Sequence, residues 1–307
     1  MQRTYDSGIG LAFLESRLAY IESKIYEKKY GAITYPGVIP VSNEAGEYAQ
    51  AVVYYYMDGA AVAEFVGTRS LNVPVATIAM DKETVGVELG ATGYEYSDEE
   101  IRQAMQLGQN LPQSKADVCM QAYEQKAQRV AMSGDASHNF YGFINNPNVT
   151  AATVVNPGSG TEWVNKTPDE ILTDVNTVMG GIFVDTLQAE MPDTLALPTA
   201  QYNYIAGTPR SATSDTTIMR WLLNNSPYLS GEGSIKPIAE LTGAGAGATD
   251  RMVAYKMDSE KLVFHVPMPL RFLAPQRKGR GFEVPAEFKL AGVEVRYPGS
   301  MRYADGI

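Results

Sequence analysis

The stretch SDEEIRQAMQLGQNLPQSKADVCMQAYEQKAQRVAMSGDASHNFYGFINNPNV, residues 97–149, constrains the fold more than any other. Ser97 and Glu100 stand at the spacing of a reciprocal cap, in which each side chain accepts from the other's backbone N–H, so a helix is predicted to begin there. Gly108 and Pro112 interrupt it, because glycine weakens a helix interior and proline lacks a donor and clashes with the preceding turn. A longer helix is predicted over 113–132. Its apolar stripe is Ala116, Cys119, Met120, Tyr123, Ala127, Val130 and Ala131, with Lys115, Gln121, Glu124, Gln128 and Arg129 on the polar flank. Gly134, within Ser133-Gly134-Asp135, is the natural left-handed terminator. At 1.5 Å per residue this helix would run roughly 30 Å, the width of a small domain. It reads as a spine.

Upstream, residues 1–10 are polar and read as a mobile arm. Leu11, Leu14, Leu18, Ile21 and Ile25 then form a helical stripe with no local partner, suited either to the chain's own core or to a neighbouring copy. Pro36 and Pro40 predict extended rather than helical chain over 31–41. Tyr48 to Met57, Val73 to Met80 and Thr84 to Leu89 are strand-like, and Asp58-Gly59 is a turn signal between them. An isolated pair of strands this long is marginal in water, so it should lean on something, and another copy of the chain is the expected support.

Downstream, 151–250 alternates helix and strand signals and reads as a separate compact lobe. Thr167-Pro168-Asp169-Glu170 is a helix start, with Ile171, Leu172, Val175, Val178, Met179, Ile182 and Phe183 as its buried face and Gly180-Gly181 permitting a close approach. Leu195 to Leu197, Tyr202 to Ile205 and Ser234 to Leu241 are predicted strands, and Thr217 to Leu223 a short helix. Arg251 to Met257 and Lys261 to Pro267 are predicted to pair as a hairpin, followed by strands at Phe282 to Phe288 and Gly292 to Tyr297. In the last of these Val293, Val295 and Tyr297 alternate against Glu294 and Arg296. Together these strands would give the spine a surface to pack against.

Chemistry is sparse. The chain has 307 residues, 45% of them hydrophobic, enough for a substantial core divided between two lobes. Its one cysteine, Cys119, excludes an internal disulfide framework, and its two histidines, His138 and His265, form no zinc-binding spacing with it. No secretory leader or membrane-length apolar run is seen, so a soluble protein kept in a reducing cytoplasm is expected. A net charge of −10 argues against tight nucleic-acid binding. The loop at 243–248 has GxGxG spacing without the Lys-Ser/Thr of a phosphate loop, and reads as a loop tip. Asp135 and His138 are the one acid/base pair close in sequence, but a hydrolase built on them lacks its nucleophile and orienting group. Arg277, Lys278 and Arg280 form the only dense basic run, suited to DNA or, better in an acidic chain, to an acidic neighbouring subunit.

Four segments carry a resemblance. Tyr94-Glu-Tyr-Ser-Asp-Glu-Glu-Ile101, then Ala127 to Gly134 and Tyr141-Gly-Phe-Ile-Asn-Asn-Pro-Asn-Val149, then Glu287 to Ile307 with Gly292-Val-Glu-Val-Arg296 and Tyr297-Pro-Gly, resemble a prophage-borne subgroup of the Hong Kong 97-type major capsid proteins of tailed bacteriophages. The likeness lies in the order of pieces along nearly the whole chain. It implies an α+β, HK97-like capsid fold: an N-terminal arm (1–46), an extended two-stranded loop (47–92), a peripheral domain with the long spine helix (93–149) and an axial domain (150–250). Residues 251–307 would be returning strands of the peripheral domain, with the chain end a candidate to rejoin the axial one. The resemblance further implies a coat subunit of the virion, assembled in the bacterial host cytoplasm as hexamers and pentamers of an icosahedral head. Packaged double-stranded DNA would be touched only non-specifically. It implies no enzyme, no catalytic, cofactor or metal residues, and no membrane partner. No long charged helix precedes the arm, so a separate scaffolding protein and a portal are the expected partners. The lysine-to-asparagine cross-link of the type member does not carry over, because Lys82 and the asparagines match no motif of it. An encapsulin-type bacterial compartment shell, which shares the fold but carries an enzyme cargo, is the alternative.

Overall fold

The computed structural model describes residues 31–61, 63, 75–101, 112–155, 160–211, 213 and 215–307, and Ile33–Ile307 form one compact unit. The helix expected over 11–25, the arm at 1–10 and Gly108 lie outside the described residues. In chain order the elements begin with α1 (Tyr35–Val38), β1 (Val41–Ser42), β2 (Ala51–Ala60), β3 (Thr77–Ser97) and the spine α2 (Pro112–Ser133). Next come β4 (Thr150–Thr153), α3 (Pro168–Asp185), β5 (Thr194–Leu197), α4 (Thr199–Gly207), α5 (Ile218–Asn225) and β6 (Ile235–Pro237). The chain finishes with β7 (Arg251–Tyr255), β8 (Leu262–His265), β9 (Met268–Phe272), β10 (Gln276–Lys278), β11 (Gly281–Ala291), β12 (Val293–Val295) and β13 (Met301–Asp305).

The spine forms where the stripe places it. Cys119, Tyr123, Ala127, Val130, Ala131 and Met132 are buried, and Tyr123 meets Phe288 of β11 edge to face, with ring centroids 5.0 Å apart. Two positions differ from expectation: Met120 is exposed, and Gln128 is buried. The cause is α1. A helix of one turn leaves its first N–H groups without partners, and the Gln128 carboxamide oxygen accepts from the N–H of Thr34 (3.0 Å) and of Tyr35 (2.9 Å). Its amide nitrogen donates to Thr34 Oγ1 (2.9 Å) and Glu240 Oε1 (2.7 Å), which completes the four bonds a glutamine can make. Residues 35–38 are therefore helical rather than extended, with Pro36 in the first turn, where its missing N–H costs nothing.

The spine's end explains the Gly142-to-Val149 motif. Phe143 N donates to Ala131 O and Ile144 N to Met132 O, while the Asn145 side chain bonds Ser133 O (2.8 Å) and accepts from Gly142 N (2.7 Å). The segment thus satisfies the last carbonyls of the helix. Gly134 makes the turn at φ +71, and a Cβ there would lie 2.1 Å from the Phe140 carbonyl oxygen. Gly134→Ala is expected to lose about 3 kcal/mol, the sum of a left-handed alanine and a displaced backbone; an unchanged urea midpoint would refute this account.

The described strands form three sheets, ordered β1-β8-β12, β10-β11-β3-β2 with β9 also on β11, and β4-β13-β7-β5-β6. The third divides two cores by its period of two. Ala196, Val253, Tyr255, Met301 and Tyr303 face the cluster that holds the spine, whereas Leu195, Leu197, Met252, Ala254 and Ala304 face the cluster built on α3. The reciprocal cap at Thr167 and Glu170 starts α3, and Ile171, Leu172, Val175, Val178, Met179 and Ile182 are buried as expected, with Phe183 half-buried. Gly181 lets Arg302 lie against the helix, 2.1 Å from where a Cβ would stand.

Several predicted strands come out differently. Tyr202 to Ile205 is part of α4, since the run buries Ile205 alone and shows no period of two. The pair expected as a hairpin is unpaired: β7 is hemmed in by β13 and β5, so its successor β8 leaves to pair with β1 and β12. Asp58-Gly59 lies inside β2 rather than in a turn; of the strand expected over Val73 to Met80, residues 77–80 join Thr84 to Leu89 in one strand, β3, and Val73 and Pro74 lie outside the described residues. Of 234–241, only 235–237 is strand and 239–241 is a single 3-10 turn.

Candidate interaction surfaces

The residues with catalytic potential are brought together, but not in a working order. Asp135 caps a short turn by accepting from Ser137 N (3.2 Å) and Ser137 Oγ (2.5 Å), and pairs with Lys126 at 2.7 Å. Lys126 and the Ser137 hydroxyl together hold the Asp135 carboxyl far below the usual carboxylate range. His138 Nδ1 stands 3.0 Å from Ser137 Oγ and 3.5 Å from Asp135 Oδ2. In a serine triad the imidazole lies between the other two, one ring nitrogen to each. Here one nitrogen faces both, so the group is a capped turn.

His265 is buried against Glu294, whose other oxygen accepts from Arg296 Nε at 2.6 Å. Burial would raise the Glu294 carboxyl, but the bonds from His265 and Arg296 outweigh it and hold it low. Glu294 is therefore an interior member of its strand, not the exposed half of an alternation. The amides of the 243–248 loop are already engaged: Gly243 N donates to Asp250 Oδ1 (2.9 Å), Gly245 N to Thr249 O (2.7 Å) and Ala246 N to Asp305 Oδ2 (3.0 Å). Such a loop has few donors left for a phosphate. Among the described residues no three His, Cys, Asp or Glu side chains are grouped to hold a metal ion.

Larger features lie on the surface. The β2–β3 ribbon pairs Ala51 with Gly86 through Ala60 with Thr77, and β3 continues along β11 from Val87 to Ser97. Directly opposed residues share a face. One face carries Tyr54 and Tyr56, whose hydroxyls donate to Glu83 and Asp81. The other carries Val53, Tyr55, Met57, Ile78 and Met80, with Met57, Ile78 and Met80 each more than 65% exposed (68%, 69% and 67%). Lys82 stands opposite Tyr55 on this second face. A contiguous exposed apolar face of this kind marks a contact site. It was legible in part, because the strands were foreseen but not which residues share a face.

The basic run sits on the β10–β11 hairpin, turned at Gly279 with φ +59. Arg277 pairs with Asp98 (3.2 Å) and Lys278 with Glu283 (2.9 Å), exposed pairs worth little to stability. The hairpin lies beside Ser97, at the opposite end of the 21-residue β3 from the ribbon's far end at Thr77, a span of roughly 65 Å.

A family model described as major capsid protein matches residues 61–307. No curated protein matches the chain by sequence. Among solved structures, the capsid of Myoviridae phage XM1 is similar at 20% identity over 95% of this chain and 98% of that one, with a TM-score of 0.81. A Mycobacterium phage Ogopogo chain matches at 13% identity, covering 95% and 98%, with a TM-score of 0.62. The capsid of a native GTA particle matches at 10% identity, covering 97% and 98%, with a TM-score of 0.66.

Proposed function

The chain belongs to the major capsid protein family and has its HK97-like fold, and from that premise we propose that it assembles as hexamers and pentamers into the icosahedral head of a tailed phage, around double-stranded DNA. The observation that carries the proposal is the ribbon: an apolar face held away from either core is explained by a sister subunit beneath it. Heterologous contacts of this sort close into rings when the rotation per subunit permits. Acidic side chains outnumber basic ones by 35 to 25, which suits a wall that must repel rather than grip packed DNA.

Within the subunit, the spine with its sheet is the peripheral lobe (93–149 with most of 251–307), and 150–250 is the axial lobe. The pairing of β13 with β4 and β7 supports returning the chain end to the axial lobe. The arm is 1–46 and the extended loop 47–92. A separate scaffolding protein and a portal complete the head, which forms in the host cytoplasm. The subunit's work is assembly, with no catalytic step.

Purified protein, with its scaffold where needed, is expected to form shells or capsomers visible by negative-stain electron microscopy. A strictly monomeric species in sedimentation velocity under all assembly conditions would overturn the proposal. Shells that co-purify with an enzyme cargo instead of DNA would favour the encapsulin-type reading.

A further inference from the structure

The α3 lobe carries an apolar knob at one end and a pocket at the other. Past the C-terminus of α3 the chain turns through Leu187 and Gln188, at φ +52 and +71, and Leu187 is 89% exposed. A branched apolar residue is poorly suited to that backbone, and glycine or asparagine would hold the same turn more cheaply. The Leu187 N–H donates to Val184 O (3.0 Å), a bond any residue would make there, while its side chain gains little burial from its own chain. Strain kept at an exposed position points to a use outside the subunit.

The other end holds a pocket of about 490 Å³ whose apolar wall is Trp163, Val164, Ala200, Tyr204, Ala248 and Ile307. Its rim carboxylates, Glu162 and Asp250, take amide donors from Asn165, Gln201 and Gly243, and no cation among the described residues. The Leu187 end carries Lys256, Lys261 and Arg302, each on a carboxylate of its own. A negative end facing a neutral one sets no like charges against each other.

Three elements put the two features at opposite ends. Trp163 precedes α3 and Leu187 follows it, and the helix of 18 residues is roughly 27 Å long. Strand β7 starts beside the pocket at Asp250 and ends at Tyr255, whose carbonyl accepts from Asp193 just past the knob. Strand β13 starts past Gly299, next to Thr186, and leads into Gly306 and Ile307 at the pocket. Knob and pocket therefore cannot meet within one copy.

We propose that Leu187 of one subunit seats in the Trp163–Ile307 pocket of the next, a head-to-tail contact repeated around the capsomer. The proposal rests on the shell reading above and names one contact within it. Repetition of one such step is what closes a ring of identical subunits.

The test pairs a cross-link with a substitution whose two effects have opposite signs. Leu187→Cys with Val164→Cys, the buried Cys119 left in place, should give on oxidation of assembled particles a ladder of linked subunits in non-reducing electrophoresis, absent from either single variant. Leu187→Gly should keep or raise the urea midpoint by relieving the turn, yet raise the protein concentration needed for assembly about 10-fold. Assembly of Leu187→Gly at the unaltered threshold, or shells of the double-cysteine protein without a ladder, would overturn the contact and leave the shell reading intact. Failure of the unsubstituted protein to assemble would instead remove the shell reading. Should the double-cysteine protein not fold, Leu187→Gly decides alone.

Discussion

Replacing both Met57 and Met80 with aspartate leaves the subunit folded and stops it forming shells. The two side chains are directly opposed on the ribbon's apolar face, 68% and 67% exposed, so neither contributes much to the subunit's own core. Exposed substitutions of this kind shift stability by about 0.5 kcal/mol or less, and like charges across a strand pair add a few tenths. At a contact between subunits the balance reverses. Burying a methionine is worth about 1.5–3 kcal/mol, so losing two costs about 3–6 kcal/mol per contact before the cost of desolvating the carboxylates is added. At 1.4 kcal/mol per tenfold, that raises the assembly threshold by more than about 100-fold. Sedimentation velocity and micrographs of the double variant beside its urea curve would decide: shells at the unsubstituted threshold would show that this face touches nothing.

The contrast between the two ribbon faces bears on specificity. Tyr54 and Tyr56 are bonded to Glu83 and Asp81 on one side, so that face has its polar groups satisfied and remains wettable. The other offers only Lys82 and Thr84 among apolar neighbours. A ribbon with one wettable face and one apolar face can lie on a neighbour in only one way up, which matters where many identical copies must agree.

What could be read in the amino-acid order was what depends on near neighbours. The reciprocal caps at Ser97/Glu100 and Thr167/Glu170 are both formed, because each needs only three residues of chain. The spine and α3 follow from stripes at helical spacing. What escaped was decided by partners far along the chain. Gln128 looks like a surface glutamine until α1, 93 residues away, presents two bare N–H groups to it. Glu294 alternates with valines as an exposed residue would, and only its bonds to His265 and Arg296 make burial tolerable. The hairpin expected between β7 and β8 obeys every local signal and still fails, because β13 and β5 have occupied both edges of β7. Surfaces were less legible still. The Leu187 knob has no local signal beyond a leucine after a helix, and its pocket draws on residues from 161 to 307.

The largest loss of stability is expected at the buried pair between the short turn before α3 and the helix itself. Lys166 Nζ lies 2.6 Å from Asp174 Oδ2, with the two side chains 1% and 6% exposed, and Trp163 Nε1 donates to the same oxygen at 3.1 Å. Lys166→Ala strips the carboxylate of its counter-charge in a dry site and should cost about 3–5 kcal/mol, whereas replacing both partners by Lys166→Met and Asp174→Leu should cost far less, since the desolvation of two charges is then avoided. The pH dependence has a definite sign. Burial pushes the Asp174 carboxyl up, and the bonds from Lys166 and Trp163 only partly offset it. A folded-state value above the unfolded one means that the folded protein binds the proton more readily. The group's contribution is then fully present below the unfolded carboxylate range and declines as pH rises through the window between the two values. Removing Lys166 deletes the opposing influence and widens that window upward. The deficit of Lys166→Ala against the unsubstituted protein should therefore be greatest near pH 8 and shrink towards about pH 5. Urea midpoints at the two pH values test this, and a deficit that grows as pH falls would mean that Asp174 is held as a stable anion without its lysine.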